Sequence, residues 1–272
     1  MKSLTLCADD YGMHPQVSKA IVKLIQQKRV QATSCLVTSP YWQESVQYIA
    51  DIRAQADVGL HLNFTEGSGL SNGYVNGLPG LGKILALSHL RLLNTSNLIE
   101  ETRAQLEAFT SATGFFPDFI DGHQHVHHLP QVRDALLKVI TRYSLSDRFW
   151  VRSVHPMHYN ASDIKARIIV QSGARVFHRQ LQSNQIHHNR AFAGVYSLAP
   201  NQPFRQYMRH WMRHLKDHGL IMCHPALLVT PDSIDHAEAR LQEYNYLNSN
   251  NFSSDCTENT IKLIKFSENT VM

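Results

Sequence analysis

The feature that most constrains this chain is a repeated alternation between short apolar runs and stretches whose apolar residues fall at helical spacing. Ser3–Cys7 reads as a short buried strand. After it, Val17, Ala20, Ile21, Leu24 and Ile25 form the i, i+3, i+4, i+7, i+8 stripe of an amphipathic helix. Ala32–Val37 and Val58–Leu62 are further strands, with a helix expected over Trp42–Ala54 between them. Gly67–Gly82 is glycine-rich and polar, as in a long loop or lid over a site. A helix over Asn97–Ala112 and a strand at Phe119–Asp121 follow. Leu129-Pro130 opens the next helix, since proline is tolerated in a first turn; its stripe is Val132, Ala135, Leu136, Val139, Ile140 and Tyr143. A strand is expected near Phe149–Arg152. The pattern is less regular from about His155 to Leu198, with one candidate helix over Ser162–Gln171. Pro203–His218 carries the stripe Phe204, Tyr207, Met208, Trp211, Met212 and Leu215 and is stopped by Gly219. Leu220–Cys223 is the last clear strand and Ala237–Leu247 the last helix.

Strands alternating with helices imply βαβ units and a mostly parallel sheet. No internal repeat, low-complexity tract or linker interrupts the pattern. At 272 residues the expected architecture is α/β, a single irregular (β/α) TIM-like barrel over residues 1–272.

Charge and cysteine usage narrow the function. The net charge of +4 comes from scattered Lys and Arg, without a basic run or aromatic platform, so a nucleic-acid partner is not expected. Cys7, Cys35, Cys223 and Cys256 share no C-x-x-C spacing, which argues against zinc-ribbon and thioredoxin-like sites and against a disulfide framework. The first apolar run is too short for a signal peptide, and no window approaches the ~20 apolar residues of a membrane span. The expected location is cytoplasmic, with homo-oligomerisation left open. Histidine is the outlier, at seventeen. It is the commonest metal ligand and the usual acid–base group near neutral pH.

In α/β barrels the loops after the strands carry the chemistry. Here Asp9-Asp10 follows the first strand and His61 ends the third. Asp121-Gly122-His123-Gln124-His125 follows the next, Arg152 closes another, and Cys223-His224-Pro225 ends the last. Strand ends in such a barrel converge on one mouth. A carboxylate and two neutral imidazoles there can hold a divalent ion with positions left for water and substrate. A second carboxylate can act as general base and an opposing histidine can protonate the leaving amine. An arginine can hold the base carboxylate through a bidentate pair.

The stretches Ala8-Asp9-Asp10-Tyr11-Gly12, Val58-Gly59-Leu60-His61-Leu62-Asn63, Asp121-Gly122-His123-Gln124-His125-Val126-His127 and Met222-Cys223-His224-Pro225 resemble the YdjC-like carbohydrate deacetylases. That family includes chitooligosaccharide deacetylases and relatives linked to hopanoid biosynthesis. The four motifs fall in the same order and register along nearly the whole chain. The resemblance implies an irregular (β/α) barrel and one divalent ion, usually described as Mg2+, with Zn2+ or another transition metal as the alternative. It implies Asp10, His61 and His123 as metal ligands and Asp9 as general base. His224 matches the late H-P motif and takes the general-acid role, and Arg152 is assigned as the tether of Asp9. The implied substrate is a small N-acetylated sugar.

Two departures stand out. Ser18 and Ala20 replace the Asn and Gly that often follow the first motif, and His224-Pro225-Ala226 stands where H-P-G is usual. If the segment after Asp121 stays extended, His123, His125 and His127 share one face, which makes His125, or else His127, a contact to substrate or a support behind the ligands. Tyr11 is a candidate for stacking on a sugar ring or, equally, for barrel packing, and Arg190, beside Asn189 and Phe192, is a candidate for lining the sugar site. His210 and His214 lie at i, i+4 but among Arg209, Arg213 and Lys216, as on a solvated face. Two other readings compete. One is another metal-dependent amidohydrolase or phosphoesterase on a similar barrel, which would use two ions. The other is an inactive carbohydrate-binding relative, which would have no use for Asp9 beside Asp10.

Overall fold

The computed structural model describes residues 1–143, 149–155, 170–228, 230 and 233–268. Its centre is one curled sheet in which all strand pairs are parallel. The strands are β1 (Lys2–Tyr11), β2 (Ala32–Cys35), β3 (Asp57–Leu62), β4 (Phe119–Gly122), β5 (Trp150–Val151), β6 (Ala191–Ala193), β7 (Gly219–Cys223) and β8 (Ile261–Leu263). Their order across the sheet is β5-β4-β3-β2-β1-β7-β6, with β8 paired to the start of β1. The expected mostly parallel α/β architecture therefore holds, but a closed TIM-like ring is only approximate. Among the described residues, β5 meets the β6 side through a single parallel bridge, Trp150 to His187.

Strand composition explains the burial. Leu4, Leu6, Ala8, Val58, Leu60, Leu62 and Ile120 are buried in the sheet, as expected for parallel strands covered by helices. Helix Pro15–Gln26 lays Val17, Ala20, Ile21, Leu24 and Ile25 against them; it opens with a proline in its first turn, and its N-cap is His14, whose Nδ1 accepts from the Gln16 N–H at 3.1 Å. Gly59 is needed for sheet packing, because a Cβ there would meet the Phe119 ring at 2.5 Å.

Several expected elements differ in extent. The single helix expected over Trp42–Ala54 is a broken succession of Trp42–Ser45, Val46–Tyr48 and Ile49–Arg53. Residues 67–80 are turns, but Leu81–His89 is a helix that takes in Gly82. The irregular stretch from His155 to Leu198 contains β6 and a helix at Arg175–Ser183; the helix expected over Ser162–Gln171 lies outside the described residues up to position 169. The Pro203–His218 helix runs over Phe204–His214, and Asn250–Glu258 adds an unanticipated helix before β8. Among the described residues no helix is long and apolar enough to cross a membrane.

The strand starts form the floor opposite the site, and a buried carboxylate joins the C-terminal segment to it. Asp57 opens β3 and accepts from the Ser267 hydroxyl at 2.5 Å, the Ser267 N–H at 2.9 Å and the Trp150 indole N–H at 3.2 Å. Burial pushes its pKa up to about 6 despite these donors. A folded-state value above the unfolded one means the folded chain binds the proton more tightly. The ionisation cost therefore appears as pH rises from about 4 through 6, and approaches ~3 kcal/mol above that window. Asp57→Asn cannot ionise. The stability difference between this variant and the parent should shift towards the variant as pH rises from 4 to 7. Urea melts at a series of pH values would check it, and a pH-independent difference would mean that Asp57 ionises equally in the folded and unfolded chains, refuting the raised pKa.

Candidate active site

The two adjacent aspartates reach one site because β1 is irregular there. Successive strand residues normally point to opposite faces. Between Ala8 and Tyr11, however, β1 loses register with β2: Ala8 pairs with Thr33 and Tyr11 with Cys35, so β1 carries one extra residue. Asp10 takes a left-handed backbone conformation, φ 69°. This bulge turns Asp9 and Asp10 into the same cavity, which both line.

Asp10 meets His61 from the end of β3 and His123 from just beyond β4. Asp10 Oδ1 lies 3.0 Å from His123 Nδ1 and 3.4 Å from His61 Nε2. All three residues are buried, and one ligand atom from each falls within 4.8 Å of the others. The His61 ring is oriented from behind, with Nδ1 2.6 Å from Asp121 Oδ1 and 3.0 Å from Ser34 Oγ. That leaves Nε2 for the cavity, the usual arrangement of a metal-ligating histidine backed by a carboxylate. One carboxylate and two imidazoles so arranged fit a divalent ion, with room for water and substrate.

Asp9 is held apart from this triad. The guanidinium of Arg152, at the end of β5 and fully buried, donates to both its oxygens, Nη1 to Oδ2 at 2.6 Å and Nη2 to Oδ1 at 2.5 Å. Nη2 also lies 2.7 Å from Asp121 Oδ2 and 3.0 Å from Cys7 Sγ. Burial would raise the Asp9 pKa, but Arg152 outweighs it and holds the carboxyl well below its usual range. Asp9, Asp121 and Cys7 form a second cluster with metal-ligand spacing. The Arg152 guanidinium touches all three, so a cation already sits among them.

The segment after β4 departs from the extended form that would align its histidines. Residues His123–His128 form a 3-10 turn with Gln124 and His125 in left-handed conformations, φ 51° and 62°. His123 therefore joins Asp10. His125 lines the cavity, edge-on to Phe192 at 5.6 Å, and burial, reinforced by Arg152, pushes its pKa well down, favouring the neutral ring. His127 turns inward instead, with Nε2 3.0 Å from the Arg152 carbonyl.

His224, after β7, lines the cavity from the other side. Its backbone N–H donates to the Glu243 carboxylate, and its Nδ1 lies 3.9 Å from Glu243 Oε1. Glu243 is fully buried and also accepts from Tyr196 Oη at 2.6 Å.

Tyr11 and Arg190 are not brought to this site. Tyr11 is fully buried, its hydroxyl donates to the Ser45 carbonyl at 2.7 Å, and it does not line the cavity, so it has no face to offer a sugar. Arg190 is exposed and also off the lining, while its neighbour Asn189 is buried in bonds to Ser153 and Ala191. His210 and His214 are paired with each other on their own helix, His214 Nδ1 lying 2.8 Å from the His210 carbonyl.

Three site residues escaped the sequence reading. Glu66 Oε1 lies 3.1 Å from His123 Nε2 and accepts from Gln124 Nε2 at 2.7 Å; its only signal was its place three residues past Asn63. Arg240 donates from Nη2 to Asp10 Oδ2 at 2.6 Å, and Glu243 backs His224. Both lie on helix Ala237–Leu247, whose sequence carries no sign of a site. The cavity enclosed by these groups measures about 860 Å³ and has aliphatic walls that include Met13, Leu85, Leu129 and Met222.

Comparison with known proteins decides the family. The profile described as YdjC-like protein matches residues 3–258. The chain belongs to the YdjC-like family. Proteins named carbohydrate deacetylase are similar to it: one from Xenopus laevis is 30% identical over 154 residues, covering 52% of this chain and 48% of that protein. One from Vibrio campbellii is 30% identical over 139 residues, covering 50% and 54%. The matches thus span about half the length of these curated relatives. A crystal structure from Enterococcus faecalis, provisionally named a cellobiose-phosphate cleavage protein, superposes with a TM-score of 0.74 at 20% identity, covering 98% of both chains. That likeness is one of fold.

The electrostatics of the triad predict how an ion would enter it. Burial would lower the His61 pKa, but Asp121 and Asp10 outweigh it and carry it up to about 10. In the ion-free protein at neutral pH His61 is then protonated, and a ligating histidine must be neutral. Against the opposing effect of burial, Asp10 raises the His123 pKa as well, so divalent-ion binding should release at least one proton per site at pH 7. Calorimetry in buffers of different ionisation heat would measure it. Ion binding with no proton exchange would rule out His61 as a protonated ligand.

Proposed function

We propose that this chain, acting as one catalytic unit over residues 1–272, hydrolyses the acetamide of an N-acetylated sugar at a single divalent-ion centre. The observation that carries this reading is the division of labour between neighbouring aspartates. Asp10 faces two imidazoles, while Asp9, one residue away, is turned onto Arg152. A purely metal-binding or sugar-binding site has no need of that second buried carboxylate. Because Arg152 already fills the Cys7–Asp9–Asp121 cluster, a second ion has no place there, which disfavours the two-ion hydrolases.

Asp10, His61 and His123 would hold the ion. When bound, it would polarise the acetyl carbonyl and make water a better nucleophile. Two nitrogens among three donors suit Zn2+ or a similar transition ion better than Mg2+, which prefers oxygen. Asp9 Oδ accepts the proton of the attacking water. A carboxylate paired to arginine is a weak base, and it would suffice where a bound ion had lowered the pKa of the water it faces. His224, on the opposite wall, delivers a proton to the nitrogen as the C–N bond breaks, and acetate and the free amine leave. Glu243 fixes the His224 backbone, and its carboxylate lies 3.9 Å from Nδ1, close enough to favour a charged ring there. His125, neutral and lining the cavity, is placed to contact the substrate. The cavity volume exceeds what one sugar ring fills, favouring an oligosaccharide or conjugate over a monosaccharide.

The test separates base from ligand. Acetate release is followed on N-acetylglucosamine, chitobiose and longer oligomers, with ion content measured on the same preparations. Asp9→Asn should keep its ion and lose ~10²–10⁴ in kcat, the usual worth of general acid–base catalysis. Asp10→Asn should lose ion affinity, with part of its activity returning at high metal, because an amide is a poorer ligand than a carboxylate. Near-normal acetate release from both variants would refute the assignment. Loss of the ion from Asp9→Asn alone would reverse the two roles.

A further inference from the structure

Arg240 stands against the outer oxygen of the candidate ligand Asp10. It is 3% exposed, on helix Ala237–Leu247, and is fixed from several directions. Its Nη2 donates to Asp10 Oδ2 at 2.6 Å and its Nε to the Asp235 carbonyl at 3.0 Å, while its own carbonyl accepts from the Ala226 N–H at 3.1 Å. Among the described residues its Nη1, also buried, has no hydrogen-bond partner. The Asp10 carboxylate is therefore divided, with Oδ1 towards His123 Nδ1 and His61 Nε2 and Oδ2 on the guanidinium.

We infer that Arg240 is a positioning and charge-balancing residue of the metal centre: it restricts Asp10 to one ligating oxygen and offsets its charge, making the ion more electrophilic and more weakly held. The inference rests on the single-ion reading of the site. Its physical basis is a contrast of sign. The carboxylate usually found behind a ligand raises ligand basicity and tightens binding, and its removal loosens the ion. A guanidinium behind a ligand withdraws charge, and it repels the ion across a poorly screened interior. The same bias extends to the rest of the site, since Asp121, behind His61, gives its other oxygen to Arg152. Two buried guanidiniums thus face three buried carboxylates, Asp9, Asp10 and Asp121. Without Arg240, Asp10 would have both oxygens and its full charge available to an ion. Without an ion, Asp10 would then be a buried carboxylate facing only the two histidines.

The experiment compares ion-free parent protein, Arg240→Met and Arg240→Lys, titrated with Zn2+ in competition with a chromophoric chelator. Melting temperatures are recorded with and without the ion, and acetate release is measured on an N-acetylated sugar. The parent should bind one ion per chain. Arg240→Met should bind it tighter by about tenfold or more, the size of effect that a residue behind a ligand exerts, but with the opposite sign. Its melting point should rise more on adding Zn2+ than the parent's, and its kcat should fall while KM stays close. Arg240→Lys, which keeps the charge, should resemble the parent. If Arg240→Met fails to fold, Arg240→Gln carries the same comparison. A parent that binds no ion would refute the single-ion reading itself. A parent that binds while the uncharged variant binds equally or more weakly would overturn the charge-balancing role alone.

Discussion

Much of the site depends on one buried cation. The Arg152 guanidinium lies within the sheet, from the end of β5, and contacts Cys7 and Asp9 of β1 and Asp121 of β4. Burying a guanidinium is costly unless its charge is paired and hydrogen-bonded. The converse binds equally: the carboxylates of Asp9 and Asp121, buried side by side, need a cation between them. Removing any one partner leaves an uncompensated charge in a dry interior, which costs ~3–5 kcal/mol. The arrangement therefore persists only as a set. Through Asp121 it also orients His61, so a single arginine fixes both the proposed base and one proposed ligand.

The backbone is strained where strands hand over to the site. Asp10 at the end of β1, and Gln124 and His125 just past β4, all occupy left-handed conformations. Such a conformation costs ~1 kcal/mol or more per residue and survives only where surrounding contacts over-determine it. At Asp10 those contacts are Arg240 and the two histidines. Near Gln124 they are Glu66 on its side chain and the β4–β5 pairing behind it. A regular strand in either place would point one of two neighbouring functional groups away from the cavity.

This pattern explains which parts of the protein were legible in the sequence. β1 to β4 and β7 announced themselves because their apolar runs are bounded by helices with clean stripes. The ionisable clusters at their ends could be placed on one mouth from that alone. β6 and β8, three residues each, left no such mark, whereas β5, shorter still, was expected from the apolar run Phe149–Val151. The extended alignment of His123, His125 and His127 failed because nothing in the residue types marks Gln124 and His125 as left-handed. Tyr11 could be read as a sugar-stacking ring or as barrel packing, and the bulge that turns Asp9 and Asp10 together leaves it in the core. Arg240 and Glu243 were invisible for another reason. Their partners lie 230 and 19 residues away, and contacts between elements leave no mark in local spacing.

The stretch expected to be a lid behaves instead as a fixed wall. Glu101, fully buried on helix Thr95–Thr113, accepts from the backbone N–H groups of Leu70 and Ser71 at 3.0 and 2.8 Å. Gly69 makes that approach feasible, since a Cβ there would sit 2.7 Å from Glu101 Oε2. One helical turn on, Gln105 donates to Glu101 and to the Asn63 carbonyl, and accepts from the Asn63 N–H. Asn63 in turn gathers the N–H groups of Thr65 and Glu66 on its Oδ1. Glu66 is thus set beside His123 by an unbroken line of buried hydrogen bonds from the helix. Opening this segment would expose a carboxylate and two amides that now satisfy one another, a cost without compensating apolar release. This stretch is therefore fixed against helix Thr95–Thr113 and is not poised to close over the cavity.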